Sequence, residues 1–210
     1  MTMTLKTSRG EATVLVIAAD PLQRHDLVRA VVAAGLRAEG FASVGALARA
    51  RHPDEPGCIL LDVERPGLDG LVDQEILLRA GYEQPMIVLT GYGEVAVAVR
   101  ALQRGAFDLI ERPCDMAPLL ASLEQALAVD ATSRRTARER AGFLGRVRCL
   151  TPREREVMER IVAGKANKVV AQELGISEKT VETHRARVMA KMAVDSLAQL
   201  VRLETLHGVA

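Results

Sequence analysis

Three polar residues stand directly after short runs of strand-forming residues in the first half of the sequence. Asp62 follows C-I-L-L, Thr90 follows M-I-V-L, and Arg112 follows a predicted strand near 107–111. A carboxylate, a hydroxyl and a cation form one polar site only if the chain brings the ends of these runs together. Parallel strands do so, because their carboxyl ends share one sheet edge, and ligands of open α/β sheets bind at that edge.

The elements that must position these residues follow from the pattern of residues 13–128. Apolar runs alternate there with stretches of helical periodicity, and Asp20 with Pro21 can begin the first helix, which ends near Gly35. Such alternation predicts an α/β domain with a doubly wound, flavodoxin-like five-stranded parallel sheet. The predicted strands lie near 13–19, 36–40, 58–61, 86–89 and 107–111, and the later helices near 43–51, 70–80, 94–104 and 116–128.

The segment from residue 149 to residue 210 shows no strand signal. Helical patterns cover 151–164, 167–174, 178–192 and 196–206. Gly175 separates the second of these from the third, which is a helix-turn-helix arrangement whose second helix enters the major groove of DNA. We therefore predict a separate all-α four-helix domain, joined to the first domain by a basic linker helix at 129–148.

The candidate recognition helix, 178–192, carries residue types that contact DNA. Val181, Val188 and Met192 share one face and should pack in the core. Threonine can contact phosphate or the thymine methyl, and lysine and arginine bind guanine or phosphate, although each residue taken singly could be part of a solvated helix face. The predicted DNA-binding set is Lys168, Ser177, Lys179, Thr180, Glu182, Thr183, His184, Arg185 and Arg187.

Charge and composition narrow the class of protein. Residues 131–210 contain 16 Lys/Arg against 9 Asp/Glu, although the whole chain has a net charge of +1. A basic segment beside an acidic one indicates a nucleic-acid-binding module. No apolar run approaches the ~18–20 residues of a membrane span, and the scattered cysteines and histidines form no metal or disulfide pattern. We predict a cytoplasmic protein without membrane contact, and not an enzyme, since no Gly-rich phosphate loop follows the first strand.

Several motifs resemble the NarL/FixJ family of response regulators. The C-terminal pieces, similar to a LuxR-type helix-turn-helix, are L-T-P-R-E-R-E-V, A-G-K-A-N-K-V-V-A, L-G-I-S-E-K-T-V-E-T-H-R-A-R-V and K-M. Residues 13–128 resemble a receiver domain through I-L-L-D-V-E-R-P-G-L-D-G, P-M-I-V-L-T-G-Y-G-E and G-A-F-D-L-I-E-R-P. The resemblance implies a transcriptional regulator of a two-component phosphorelay. It would bind double-stranded promoter DNA as a homodimer, with a sensor histidine kinase as a further candidate partner.

The resemblance also implies roles at the sheet edge and shows where this sequence departs from the family. Asp62 matches the phosphoacceptor, and Thr90 matches the hydroxyl residue that binds the phosphoryl group. Ala18 and Ala19 stand where the family has two acids that hold Mg²⁺, and Arg112 replaces the usual lysine. Mg²⁺ is therefore a doubtful cofactor, and we assign no metal site beyond Asp62 as a candidate ligand.

These departures predict an atypical receiver. Because each missing carboxylate removes a full charge beside a divalent ion, phosphorylation at Asp62 should be weak or absent, and Arg112 could pair with Asp62 instead. Leu109 stands at the position of the family's aromatic switch residue. The main alternative is an ordinary phosphorylated regulator, with Asp20 or Asp26 assisting. A protein-interaction module that no longer binds DNA and an enzyme on a flavodoxin-like sheet are less favoured.

Overall fold

The computed structural model describes residues 12–63, 72–91 and 95–208. The chain forms two compact units, which meet in sequence between Arg134 and Arg135. Within the described ranges, no helix is long and apolar enough to cross a membrane.

The first unit contains a parallel sheet with the strand order β2-β1-β3-β4-β5 among the described residues. This is the predicted doubly wound arrangement, in which the chain reverses its direction of growth across the sheet between β1 and β3. The elements are β1 (Thr13–Ile17), α1 (Pro21–Ala33), β2 (Arg37–Phe41), α2 (Val44–Ala50), β3 (Gly57–Val63), α3 (Val72–Arg79), β4 (Met86–Thr90), α4 (Val95–Gln103), β5 (Asp108–Glu111) and α5 (Met116–Arg148).

Burial follows the position of each strand in the sheet. Every residue of β1, β3 and β4 is buried, whereas the edge strands β2 and β5 are partly exposed. Strands that helices cover on both faces must be apolar throughout, and alternate residues of these strands enter separate apolar clusters. One cluster includes Leu15, Leu61 and Val88, and the other includes Val14, Leu60 and Ile87.

Helix α5 corrects one prediction. The helix predicted to end near residue 128, and the separate linker helix predicted after it, form one continuous helix to Arg148. Residues 119–148 contain no proline, and Asp130 pairs with Arg134 one turn later at 2.8 Å. The carboxylate of Asp130 also accepts a hydrogen bond from the backbone N–H of Gly57 at 3.0 Å. Nothing in the sequence therefore stops the helix at 128. The other predicted elements lie within two residues of their observed bounds.

The second unit packs helices around an apolar core. Beyond the last turns of α5 it contains α6 (Pro152–Val162), α7 (Asn167–Leu174), α8 (Glu178–Met192) and α9 (Leu197–His207). Phe143 on α5 and Val157 on α6 are almost fully buried in this core. Thr151 and Glu154 form the predicted capping box at the start of α6.

A buried carboxylate joins α6 to α8. Glu154 is 3% exposed, and its Oε2 accepts hydrogen bonds from Lys191 Nζ at 2.6 Å and from the Thr151 backbone N–H at 2.8 Å. The hydrogen bonds from Lys191 and then from Thr151 lower the pKa of Glu154 to about 2. The carboxylate is thus ionised at neutral pH and holds α8 against α6.

Candidate functional sites

The carboxyl edge of the sheet brings three of the predicted site residues together. Asp62 pairs with Leu89 and Val63 pairs with Thr90 in the β3–β4 register. The carbonyl of Thr90 accepts a hydrogen bond from the backbone N–H of Arg112 at 2.7 Å. Asp62 and Thr90 are both buried. The ends of β3, β4 and β5 thus place a carboxylate, a hydroxyl and a guanidinium at one edge.

Arg112 binds the carboxylate of Asp62. Its Nη2 lies 2.9 Å from Oδ1, and its Nη1 donates a hydrogen bond to Oδ2 at 3.4 Å. The Asp62 side chain is fully buried, whereas 23% of the Arg112 side chain remains exposed. A planar guanidinium can meet both oxygens of a carboxylate, which an ammonium group cannot do in the same geometry. The negative charge of Asp62 is therefore compensated within the protein.

The end of β1 supplies no acid where the family carries its pair. Ala18 is fully buried and Ala19 is exposed. Asp20, the next residue, is the N-cap of α1, and its Oδ1 accepts a hydrogen bond from the Gln23 backbone N–H at 2.7 Å. Asp26 is exposed farther along the same helix. Asp20 therefore serves as a helix cap.

These residues do not fit a magnesium ion. Mg²⁺ requires near-octahedral oxygen ligands, usually including one or two carboxylates. The carboxylate of Asp62 is bound by Arg112, and Arg24 Nη1 donates to the carbonyls of Ala18 at 2.6 Å and Ala19 at 3.1 Å. In the parts of the chain that the structure covers, no group of three His, Cys, Asp or Glu residues is placed to hold a metal. The Asp62 carboxylate and the carbonyls of Ala18 and Ala19 thus contact arginine side chains of the protein itself.

The second unit carries the helix-turn-helix. Helix α7 ends at Gly175, which has a φ of 65°, a left-handed conformation that glycine adopts without the steric cost of a Cβ. Ser177 then caps α8, and its Oγ accepts a hydrogen bond from the Thr180 backbone N–H at 3.1 Å. Val181, Val188 and Met192 are completely buried, as predicted. Their burial fixes the rotation of α8 and hence its outward face.

Most of the predicted DNA-binding residues lie on that outward face or next to it. Thr183 donates its hydroxyl to the Lys179 carbonyl at 3.0 Å, and Lys179 Nζ lies 3.4 Å from Glu182 Oε2. The hydroxyls of Ser177 and Thr180 are 2.8 Å apart and share a hydrogen bond within the cap. The exposed members of the set are Lys168, Ser177, Lys179, Thr180, Glu182, Thr183 and Arg187.

Two members of the set are half-buried instead of freely exposed. Arg185 Nη1 donates a hydrogen bond to Asn167 Oδ1 at 3.1 Å. His184 has a buried Nδ1 atom without a hydrogen-bond partner in the described part of the chain. Sequence reasoning did not select Asn167, because its partner is 18 residues away and no helical periodicity connects the two.

Matches to protein families cover both units. Residues 14–124 match the response regulator receiver domain, and residues 148–204 match the bacterial regulatory proteins of the luxR family. The chain belongs to the NarL/FixJ family of response regulators. This response regulator is therefore a two-component transcriptional regulator with a LuxR-type DNA-binding domain.

Individual relatives resemble this response regulator over nearly its whole length. The transcriptional regulatory protein FixJ of Azorhizobium caulinodans is 40% identical over 195 residues, which cover 93% of this chain and 92% of FixJ. Nodulation protein W of Bradyrhizobium diazoefficiens is 36% identical, with 95% and 88% covered. The solved structure of the response regulator StyR matches with a TM-score of 0.83 and 33% identity, covering 93% of this chain and 98% of StyR.

Proposed function

We propose that this response regulator binds promoter DNA as a homodimer through α8, and that its receiver is phosphorylated at Asp62 weakly or not at all. The observation that carries the receiver half of the proposal is the ion pair between Arg112 and Asp62. It stands at the edge where Ala18 and Ala19 replace the acids expected from the family.

The chemistry of phosphoryl transfer explains why this pair matters. A carboxylate attacks phosphorus with an oxygen lone pair. Arg112 donates a hydrogen bond to Oδ2 of Asp62, and its charged Nη2 lies 2.9 Å from Oδ1. Charge on the transferring phosphoryl group must also be neutralised, and the residues present do not fit the usual divalent ion. Arg112 would therefore have to leave Asp62 before the carboxylate could react.

The DNA-binding half of the proposal is supported by α8. Its buried face leaves Lys179, Glu182, Thr183 and Arg187 exposed along one side. A recognition helix uses such side chains for base edges and phosphates. The methyl group of Thr183 is available for thymine, since its hydroxyl is bonded to the backbone.

The dimer is supported by apolar residues that α9 does not bury. Leu200 is fully buried, whereas Leu206 is 61% exposed and Val201 is half-buried. A second copy that packed on Leu206 and Val201 would remove this apolar surface from water. Two copies would place two recognition helices on successive half-sites of DNA.

Intact mass spectrometry tests the receiver half. The full chain is incubated with a small phosphodonor and Mg²⁺, beside the Asp62→Asn variant. We expect no phosphoryl adduct on the parent, while the same sample still retards promoter DNA in a gel. An adduct on the parent that Asp62→Asn lacks would establish an ordinary phosphorylated response regulator instead.

Gel retardation tests the DNA-binding half. Promoter fragments from the protein's own genome are titrated at two salt concentrations, because phosphate contacts make affinity fall steeply with salt. We expect Arg187→Ala to weaken binding about tenfold. If no fragment is retarded, the chain is a protein-interaction module.

A variant of α9 tests the dimer. We expect Leu206→Glu to convert a complex of two chains per duplex into one chain per duplex, as measured by sedimentation. Leu22→Glu is the control, because Leu22 is 75% exposed on α1 in the other unit. Two chains per duplex with Leu206→Glu would exclude this face as the dimer interface.

A further inference from the structure

We propose that Asn167 is a positioning residue that holds Arg185 ready to bind a DNA backbone phosphate. The inference rests on the proposed DNA binding through α8 and adds a residue that periodicity does not select. The observation behind it is the hydrogen bond from Arg185 Nη1 to Asn167 Oδ1, at 3.1 Å.

The position of Arg185 on α8 differs from that of the other predicted DNA contacts. It lies four residues after Val181 and three before Val188, both of which are fully buried, so these residues are its neighbours on the helix. The Arg185 side chain is accordingly half-buried, whereas Arg187 is exposed. Because Asn167 is the first residue of α7, the guanidinium lies at the seam between α7 and α8.

Arg185 differs from several other cations of this unit because its hydrogen-bond partner, Asn167, carries no charge. Asn167 is neutral, so its hydrogen bond fixes the guanidinium without cancelling its charge. No carboxylate pairs with Arg185 within the described ranges. Cations that do pair with carboxylates in this unit include Arg153, Arg160, Lys165, Lys179 and Lys191. Arg185 therefore keeps a full positive charge and further N–H donors for an external anion.

The location of the seam identifies that anion. In a helix-turn-helix the first helix crosses the DNA backbone while the second enters the major groove. A guanidinium at the start of α7 thus faces phosphate, and Lys168, the next residue, is exposed beside it. An arginine side chain loses rotamer freedom when it is fixed on a ligand. Because the hydrogen bond to Asn167 already restricts the Arg185 side chain in the free protein, less rotamer entropy is lost when DNA binds.

Salt-dependent DNA binding by the full chain tests the proposal. The probe is a labelled duplex of mixed sequence, because a phosphate contact requires no target site. We expect Asn167→Ala to weaken binding about fivefold and to lower the slope of log affinity against log salt by about 0.9, the value of one lost phosphate contact. This reduction is diagnostic, since the substitution removes no charge. Gln172→Ala, which removes an exposed amide from the same helix, should leave the slope unchanged.

A double-mutant cycle separates positioning from a direct or structural role. Arg185→Ala alone should lower the slope as Asn167→Ala does, and Asn167→Ala should have no further effect in that background. Arg187→Ala is the matched cation control, and its effect should add to that of Asn167→Ala. An unchanged slope in Asn167→Ala, or an equal loss of affinity with and without Arg185, would overturn the proposal.

A second variant covers the case in which Asn167→Ala lowers the melting temperature. Asn167→Asp keeps the acceptor for Arg185 but cancels its charge, so the slope should fall by the same amount. If Asn167→Asp keeps the slope of the parent, the proposal is wrong. Failure of the proposed function looks different, because the parent itself would not bind DNA, or Lys168→Ala, Arg185→Ala and Arg187→Ala would all bind as the parent does.

Discussion

Asp62 in the first unit and Glu154 in the second are both buried acids paired with a basic side chain, but their surroundings differ. Glu154 accepts hydrogen bonds from Lys191 and from the Thr151 backbone inside a helical scaffold. Asp62 lies at the carboxyl edge of the sheet, where ligands bind in this class of fold, and Arg112 approaches both of its oxygens. The same type of pair thus joins two helices in one place and lies at the candidate phosphoacceptor in the other.

The largest expected effect is a gain of phosphorylation when the residues typical of the family are placed in the receiver site. The variant Ala18→Asp/Ala19→Asp/Arg112→Lys restores the two acids and replaces the fork-shaped cation with an ammonium group. We expect this variant to form a phosphoryl adduct with a small phosphodonor and Mg²⁺, as measured by intact mass, whereas the parent is expected to form none. The same variant with Asp62→Asn is the control. A folded triple variant without an adduct would mean that these residues do not account for a closed site.

Arg112→Ala should destabilise the first unit by about 3 kcal/mol, because it removes the ion pair of the buried Asp62 carboxylate. The loss should be much smaller in an Asp62→Asn background, where no carboxylate remains to pair with Arg112.

Denaturant-dependent hydrogen exchange of the β3 and β4 amides measures this effect in the full chain. Adding Asp62→Asn to Arg112→Ala is the control, and the double variant should recover most of the lost stability. A loss that is equally large with and without the Asp62 carboxylate would show that Arg112 acts through packing alone.

Glu154→Gln should lower the melting temperature of the second unit by several degrees at neutral pH. The pKa of Glu154 falls from 4.5 to about 2 in the folded chain, first through its hydrogen bond with Lys191. Its stabilisation is therefore complete above pH 4.5 and is lost as the pH falls towards 2. Calorimetry of the full chain should show parent and variant converging at acid pH. A constant difference at every pH would contradict the ionic account.

Glu156→Gln provides the smallest expected effect and a matched comparison on the same helix. Glu156 pairs with Arg153 at 2.6 Å, but both side chains are about half exposed. Water screens such pairs, so the free energy of unfolding should change by less than about 0.5 kcal/mol. Urea unfolding at low and high salt measures it. A loss as large as that of Glu154→Gln would show that burial does not distinguish the two acids.

Local patterns predicted the elements and much of the recognition helix. The spacing of Val181, Val188 and Met192 gave the buried face of α8, and Gly175 with Ser177 gave the turn and the cap. These signals succeed because helix faces and caps depend on residues a few positions apart.

Contacts between distant residues were harder to predict. The bond between Asn167 and Arg185 spans 18 residues, and neither helix pattern contains it. The pairing of Arg112 with Asp62, 50 residues apart, followed as a hypothesis from residue types, but its two-nitrogen geometry required the fold. The prediction ended helix α5 near residue 128, whereas the helix continues to Arg148. Asp130 accepts a hydrogen bond from Gly57 on a strand far away in the sequence, and helical periodicity does not reveal such a contact.

The ion pair between Arg112 and Asp62 has a consequence for how such a protein would respond over time. Under the proposed function no phosphate lifetime sets the duration of its output. Occupancy of a promoter by a dimer then follows mass action and rises steeply with the number of chains. The rates of synthesis and degradation of the chain would then set how long the regulator stays active. Transcription of the target gene would depend on the concentration of the protein.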